Sequence, residues 1–456
     1  MTGSPILAVS AGIAWPFGRS LVNVSAGIRG ETKKHRGLGD FRFMKRQPVI
    51  TGLGIVSPIG VGVETFWAAA KAGKSGIRTP TSFDSSKLPR ECQMAGEVLD
   101  FNPRDWMPPT IAKVTGRFSQ FAIAAGKMAL RDSGLDPSTL PAERILVSMG
   151  TSMSGLVDVE HSNFLSFLRG EAMSPWTVLE YPGHAATSHV AISIGARGQT
   201  ASLATACVAG LDAVAWAAQK IEGNHACAVL AGATETPLSA ASIEAFRALG
   251  ALSSWEGPPS EASRPFDKLR SGLVLSEGAA TILVEEESAA QARGAPIYAR
   301  ILGTGSVTEG AHMRNVDATG EFAARAMALA IRNAQLSPED IDYVCAHGNS
   351  LVDYDAAETA GIKRVLGKRA WCVPISSIKS MCGQALAASG TMQIVASCLA
   401  IRDSVVSPTI NYTVPDPLCD LDYVPNVARR VRLRTILIHG QSIGGLHAAM
   451  VVGAPS

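Results

Sequence analysis

The sequence predicts an α/β protein of layered sheets and helices, and three observations lead there. From Met44 onward, short and nearly continuous apolar runs alternate with stretches of helical periodicity. That is the pattern of strands buried on both faces of a sheet and joined by helices. The chain combines 44 glycines and 46% hydrophobic residues with only 6% aromatics, a composition suited to close packing of small residues. Its two halves also echo each other: each holds a strand, a turn bearing a reactive side chain and a buried small-residue helix, with the division near Gly294 to Pro296. At 456 residues there is room for two or three compact units.

The elements follow in order. Residues 1–43 form a leader that carries Lys33, Lys34, Arg36 and Arg42 against only Glu31 and Asp40, with no strand or helix pattern. Two readings of it stand side by side. In the preferred one Met44 is the true start; in the other the acid-poor stretch is a targeting segment, loosely like an organellar transit peptide. An N-terminal half is expected over 44–295 and a C-terminal half over 296–456. The first opens on a strand at Lys45 to Gly52, and further strands are predicted at 144–149, 227–232, 280–285, 341–346 and 435–439. The stretch Glu321 to Asn333 contains neither Gly nor Pro and holds five alanines, which predicts a closely packed helix. Residues 385–401 are uncharged but include Ser389, Gly390, Gln393 and Ser397. They are short for a membrane span and read as a helix buried between protein layers.

Several function classes are disfavoured at once. A net charge of +2 supplies no broad basic field for nucleic acid. Eight scattered cysteines without a Cys-x-x-Cys pair argue against a zinc site or a disulfide framework, and favour a reducing compartment.

Cys207 carries the strongest chemical signal. It lies in Gln199 to Gly210, which reads as strand and sharp turn, followed by a helix over 211–221. Val208, Leu211, Val214, Ala215, Ala218 and Ile221 form the expected buried stripe of that helix. A cysteine at a helix start meets unpaired N–H groups and the positive end of the helix dipole, both of which favour the thiolate. Taken alone, it reads rather as a small buried core cysteine.

Three other segments can converge on it. His347 follows a strand end and precedes Gly348, so it can project into a site as a donor or base. Lys379 stands in the otherwise uncharged Ser376 to Gln384 and needs a partner if buried. The run Gly440 to Leu446 reads as a glycine-rich turn whose N–H groups can face an oxyanion. It lacks a Walker lysine and is no phosphate loop. Each has a plainer reading in isolation: a loop histidine, a surface lysine, an ordinary turn.

Together these residues resemble the elongating β-ketoacyl-acyl-carrier-protein synthase family of the thiolase superfamily, from about Pro48 to Gly453. The resemblance rests on Val49 to Gly60, Thr205-Ala-Cys207, Ser263 to Asp267, His347-Gly348, Ser376 to Gly383, Pro408 to Asn411 and Cys419 to Pro425. It implies a thiolase-like fold of two duplicated αβαβα layered halves. Cys207 would take an acyl chain from a carrier-protein thioester for condensation with malonyl-carrier protein, in fatty-acid, specialised-lipid or polyketide synthesis. His347, Lys379 and Gln384 would complete the catalytic set, and the N–H groups of Cys207 and Ile443 would form the oxyanion hole. Phe246, Gln441, Ile443 and Gly444 would bind or shape the acyl substrate, while Asp355 and Glu358 would be structural. No metal or cofactor is implied, since the 4′-phosphopantetheine arm belongs to the acyl carrier protein. A homodimer or heterodimer around the strand at 199–204 and a cytoplasmic location are carried over with the rest. Lys113, Arg117, Arg247, Lys268 and Arg270 are candidates to dock the acidic carrier.

The chain departs from that family at the proposed site. The second active-site histidine is Gln384, which can donate an N–H but cannot exchange a proton near neutral pH. The acid that balances the lysine is Gln393, aromatics of the glycine turn are replaced by Gln441 and Ile443, and a threonine after His-Gly is Asn349. Leu446 and His447 replace a polar pair. His439 and His447 are candidates to compensate for Gln384, although neither falls on a catalytic position of the family. Condensation is the preferred expectation. The alternatives are an acyl-transferring or acyl-holding homologue and a non-catalytic partner subunit, although chain-length-determining subunits typically lack the cysteine retained here.

Overall fold

The computed structural model describes residues 46–160 and 165–455, so the leader at 1–43 lies outside the described residues. Ten strands and seven helices are needed to place the site. In the first half these are β1 (Pro48–Ser57), α1 (Arg117–Ser133), β2 (Ile145–Gly150), α2 (His184–Ile194), β3 (Thr200–Leu203), α3 (Ala209–Glu222), β4 (Ala228–Glu235), α4 (Ala240–Ala248) and β5 (Gly278–Glu286). The second half holds β6 (Ala299–Thr308), α5 (Glu321–Asn333), β7 (Tyr343–Cys345), α6 (Val352–Leu366), β8 (Ile375–Ser376), α7 (Ala388–Asp403), β9 (Thr435–Ser442) and β10 (Leu446–Gly453).

The duplication is visible in the strand order. The first half runs β3-β2-β4-β5-β1 and the second β8-β7-β9-β10-β6, the same arrangement of first to fifth strands. Pairing sense repeats as well: β2 is parallel to β3 and β4, and β7 is parallel to β8 and β9. In each half the last two pairings are antiparallel. Val49 and Ile50 of β1 pair with Arg300 and Ala299 of β6, which joins the halves edge to edge.

Strand alternation builds the layers, because successive side chains point to opposite faces. Val229, Ala231, Ile282 and Val284 of the first half share one core with Ile436, Ile438, Met450 and Val452 of the second. Residues of α3 and α7 fill that shared core. On the outer face of the first half, Leu230 and Leu283 pack with Val190 of α2 and Phe118 of α1. On the outer face of the second, Leu437 and Val451 pack with Met327 of α5 and Ile362 of α6. The result is a five-layer αβαβα stack.

The two central helices approach closely at glycines. A Cβ on Gly210 would stand 2.6 Å from the Ala387 carbonyl oxygen, and one on Gly390 would stand 2.8 Å from the Leu211 side chain. Only glycine permits this separation. The loops that precede α3 and α7, equivalent by the duplication, therefore come together, and these loops carry Cys207 and Lys379 to Gln384.

Predicted and observed elements differ in a few places. The helix at Glu321–Asn333 matches residue for residue, and residues 385–401 lie largely within the buried α7. β6 and β10 have no counterpart in the sequence-based expectations, because glycine, alanine and polar residues dilute the apolar signal of both, and β6 is in addition partly exposed. The glycine-rich turn is shorter than expected: Gly440, Gln441 and Ser442 belong to β9 and pair with Ala448, His447 and Leu446, leaving Ile443 to Gly445 as the turn. Ala215 drops out of the buried stripe of α3, with Ala213 and Ala217 buried in addition to the other predicted positions. Among the described residues no helix is long and apolar enough to cross a membrane.

Candidate active site

The site forms where the C-terminal ends of β3, β7, β8 and β9 meet, the edge at which layered α/β sheets usually gather their reactive loops. Cys207 sits in a single 3-10 turn, Ala206–Val208, between β3 and α3. Ala206 has a φ of 51°, an unusual conformation for a residue with a side chain. Such a kink turns the thiol out of the strand direction and into the site. Asp212 of α3 braces the turn by accepting from Thr205 Oγ1 at 2.6 Å.

Ser442 of β9 faces the nucleophile. The Cys207 N–H points to Ser442 Oγ at 3.4 Å, while the same hydroxyl donates to the Ile443 carbonyl at 2.8 Å. The Gln384 side chain also acts on the thiol. Its buried Nε2 makes no hydrogen bond, whereas its Oε1 accepts from Ser389 Oγ at 3.4 Å.

One residue earlier on β9, the Gln441 N–H donates to His347 Nδ1 at 3.3 Å. Glu358 fixes the backbone around the histidine, accepting from the N–H groups of His347 and Gly348 at 2.7 and 2.8 Å. Lys379 closes the circuit, donating to the His347 carbonyl at 2.6 Å and to Gln393 Oε1 at 3.1 Å. Cys207 and His347 thus lean on neighbouring residues of β9, with Lys379 close enough to act on both.

The electrostatics differ from the expectation for Cys207. Although the residue is only half-buried, burial of the thiol is the dominant influence and raises its pKa. Gln384, Ser442 and Lys379 pull it back down, and Glu235 pushes it up. The helix-start argument for a lowered thiol pKa is therefore overturned, because desolvation of the thiolate outweighs the donors around it. His347 is held well below its ordinary value by burial and then by Lys379, His439 and His447, so it is neutral. Burial lowers Lys379 to about 8.

The other predicted residues are placed as follows. Phe246 of α4 packs against the same apolar cluster as Cys207, with Leu238, Ile243 and Leu386. Gln441 is fully buried and its Nε2 donates to the Tyr354 carbonyl at 2.9 Å, so its side chain is tied to the protein. Gly444 has a φ of 99° and open space where a Cβ would stand. Ile443 lines a cavity of about 280 Å³ with Leu249, Leu351, Tyr354 and Arg314. Asp355 is structural, accepting from the N–H groups of Phe266 and Asn349 at 2.8 and 2.9 Å.

Three of the proposed docking cations are otherwise engaged. Arg270 is buried between Asp355 and Asp416, Arg117 forks onto Glu277, and Arg247 pairs with Glu244. Lys113 and Lys268 remain exposed. Each of the two further histidines is paired with a glutamate: His439 Nδ1 bonds Glu358 at 2.6 Å and His447 Nε2 bonds Glu309 at 2.8 Å.

Glu235 was not singled out from the sequence. It ends β4, accepts from Thr151 Oγ1 at 2.6 Å, and burial lifts its pKa to about 7. A glutamate closing an apolar strand was the available signal. Among the described residues no group of three or more His, Cys, Asp or Glu is arranged to hold a metal ion.

The chain is similar to known proteins over most of its length. Residues 46–290 match the family described as Beta-ketoacyl synthase, N-terminal domain, and residues 298–413 match Beta-ketoacyl synthase, C-terminal domain. The chain is 40% identical to the tetracenomycin polyketide synthase ketoacyl synthase alpha subunit of Streptomyces glaucescens, over 91% of this chain and 98% of the relative. It is 39% identical to 3-oxoacyl-[acyl-carrier-protein] synthase 2 of Coxiella burnetii, over 90% and 98%. Among solved structures, it superposes with a TM-score of 0.84 and 36% identity on a type II PKS ketosynthase bound to the hexaketide and in complex with its acyl-carrier protein. That match covers 90% of this chain and 100% of the other. A beta-ketoacyl synthase from Burkholderia phymatum matches at a TM-score of 0.82 and 32% identity, covering 90% and 100%.

Proposed function

The chain belongs to the beta-ketoacyl synthase family, and on that basis we propose that it is an acyltransferase that condenses an acyl group carried on Cys207 with malonyl-carrier protein. The observation that carries this reading is the meeting of Cys207, whose N–H points to Ser442 Oγ, with His347, whose Nδ1 accepts from the neighbouring Gln441 N–H and whose carbonyl accepts from Lys379. In the first half-reaction Cys207 loses its proton to His347 and its sulfur bonds to the acyl carbon. The carbon–sulfur bond to the carrier breaks, and the departing carrier thiolate takes the proton back from His347. In the second, malonyl releases carbon dioxide, leaving an enolate held by N–H donors of His347 and Gln384. The enolate carbon then bonds to the acyl carbon as the Cys207 carbon–sulfur bond breaks. The cysteine thiolate recovers one proton from solvent.

The oxyanion donors in this reading are the N–H groups of Cys207 and Ile443; Ser442 Oγ must give way at the first of these when a carbonyl oxygen arrives. The cavity at Ile443 supports entry of a carrier-borne 4′-phosphopantetheine arm. Exposed Lys113 and Lys268 are the docking cations that remain. Dimerisation, with a second copy or a second ketosynthase, takes place at the free edge of β3, whose residues alternate between exposed and half-buried. Eight free cysteines support a reducing, cytoplasmic setting.

Mass spectrometry of the protein after incubation with acyl-charged carrier is expected to find the acyl mass on Cys207, and no adduct on Cys207→Ala. Absence of an adduct on the wild type overturns the reading. A second reading, acyl transfer or holding without elongation, is favoured by one observation: Gln384 cannot exchange a proton. Release of labelled carbon dioxide from malonyl carrier separates the two. Condensation gained only in Gln384→His excludes the elongating reading for the natural chain.

A further inference from the structure

Glu235 closes β4 fully buried, and its carboxylate takes its hydrogen bonds from the turn that follows β2. Oε1 accepts from Thr151 Oγ1 at 2.6 Å, from the Ser152 N–H at 2.5 Å and from the Met153 N–H at 3.2 Å. Oε2 takes only a longer contact from the Met153 N–H, at 3.3 Å. Thr151 Oγ1 extends the network by accepting from the Ser154 N–H at 2.9 Å. Ser154 has a φ of 59°, uncommon for a residue with a side chain. Two consecutive backbone N–H groups, those of Ser152 and Met153, thus depend on one side chain for their acceptor.

The turn lies against the loop of the nucleophile. The Thr151 N–H donates to the Leu203 carbonyl at 2.9 Å, at the end of β3. A Cβ on Gly150 would stand 2.6 Å from the backbone of Ala209, at the start of α3. Cys207 lies between those two points in the chain. Met153, Cys207 and Phe246 also pack against one apolar cluster, which includes Leu238, Ile243 and Leu386. Strand order gives the direction of the restraint: β2 stands between β3 and β4, so bonds to Glu235 hold the turn to the β4 side, away from the end of β3 that leads to Cys207.

We propose that Glu235 is a positioning residue: by anchoring the 151–154 turn on β4 it keeps the Met153 side chain clear of the space beside Cys207, and so sets the length of acyl chain that the thiol accepts. This rests on the synthase reading above and deepens it by naming what limits the substrate. Without the carboxylate the Ser152 and Met153 N–H groups lose their acceptor, and the turn has nothing to hold it on the β4 side. Met153, unbranched and adaptable, then fills the apolar space that a chain would occupy.

Alkylation of Cys207 by iodoacetamide and by its N-octyl derivative tests this with no carrier protein, so it stays readable if Cys207 proves not to take an acyl group. The ratio of the two rates cancels any change in thiolate fraction, which Glu235 also influences. Glu235→Ala is expected to lower the octyl-to-parent ratio about tenfold, the effect of crowding an apolar site. Glu235→Gln keeps an acceptor oxygen and is expected to stay within about threefold of wild type. Adding Met153→Ala to Glu235→Ala is expected to restore the ratio, because the obstructing side chain is gone. Should Glu235→Ala not fold, Thr151→Ala removes the hydroxyl that links Glu235 to the Ser154 N–H, and the same fall and recovery are expected. An unchanged ratio, or a fall that Met153→Ala does not recover, overturns the proposal; with carrier acylation of Cys207 intact, the synthase reading stands without it.

Discussion

Lys379 Nζ donates to the Gln393 side-chain oxygen at 3.1 Å, so a buried ammonium is held by a neutral amide at the position where the family resemblance led us to expect an acid. The amide does more than replace a charge. Its Nε2 donates to the carbonyls of Ala346, His439 and Cys345 at 2.9, 3.0 and 3.1 Å. One side chain thereby ties β7, β9 and Lys379 to α7.

Gln393→Leu keeps the volume and removes these bonds. It is expected to lower unfolding free energy on the order of 3 kcal/mol, since several buried groups lose partners at once. Urea denaturation measures it, and a change below about 1 kcal/mol contradicts the role.

Lys379 sets a pH dependence of stability. Its folded pKa, about 8, lies below its ordinary 10.5. Below pH 8 both folded and unfolded chains bind the proton, and the buried charge costs stability. Between 8 and 10.5 the unfolded chain binds more protons, so stability rises with pH, by up to about 3 kcal/mol from this group. The difference between wild type and Lys379→Met, followed by urea denaturation across that window, isolates it from the buried cysteines and tyrosines.

The donors around Cys207 have a kinetic signature. Gln384→Leu and Ser442→Ala each remove an influence that lowers the thiol pKa. Alkylation of Cys207 by iodoacetamide at pH 7.5 is expected to slow about threefold to tenfold in either variant, as the thiolate fraction falls. Peptide mapping by mass spectrometry separates Cys207 from the other cysteines.

Gly210 tests the helix crossing. Gly→Ala in a helix normally stabilises by up to about 1 kcal/mol. Here the added methyl would stand 2.6 Å from both the Ala387 oxygen and Thr391 Oγ1. Gly210→Ala is expected to destabilise by about 1–3 kcal/mol, the overpacking range, so the sign of the change decides the matter.

Local pattern made much of the fold readable. Strand β4 is apolar almost throughout because it is buried on both faces, and α5 announced itself by alanine content and the lack of breakers. β6 and β10 were hidden because half or more of each strand is glycine, alanine or polar residues. Cys207, His347 and Lys379 were readable through their flanking turns. The Glu235 contact with the 151–153 loop and the Asn349 contact with His347 were not, because no periodicity encodes a side chain's direction at a loop.

By itself the sequence determined the layered fold class, the duplicated halves and the residue types brought to the site, since periodicity and turn chemistry are local properties. Only the tertiary structure decided the charge states: a thiol pKa raised rather than lowered, a neutral histidine and a lysine poised near pH 8. Those follow from desolvation and from partners far away in the chain, such as Cys207 and Ser442. No local stretch of sequence holds both members of such a pair.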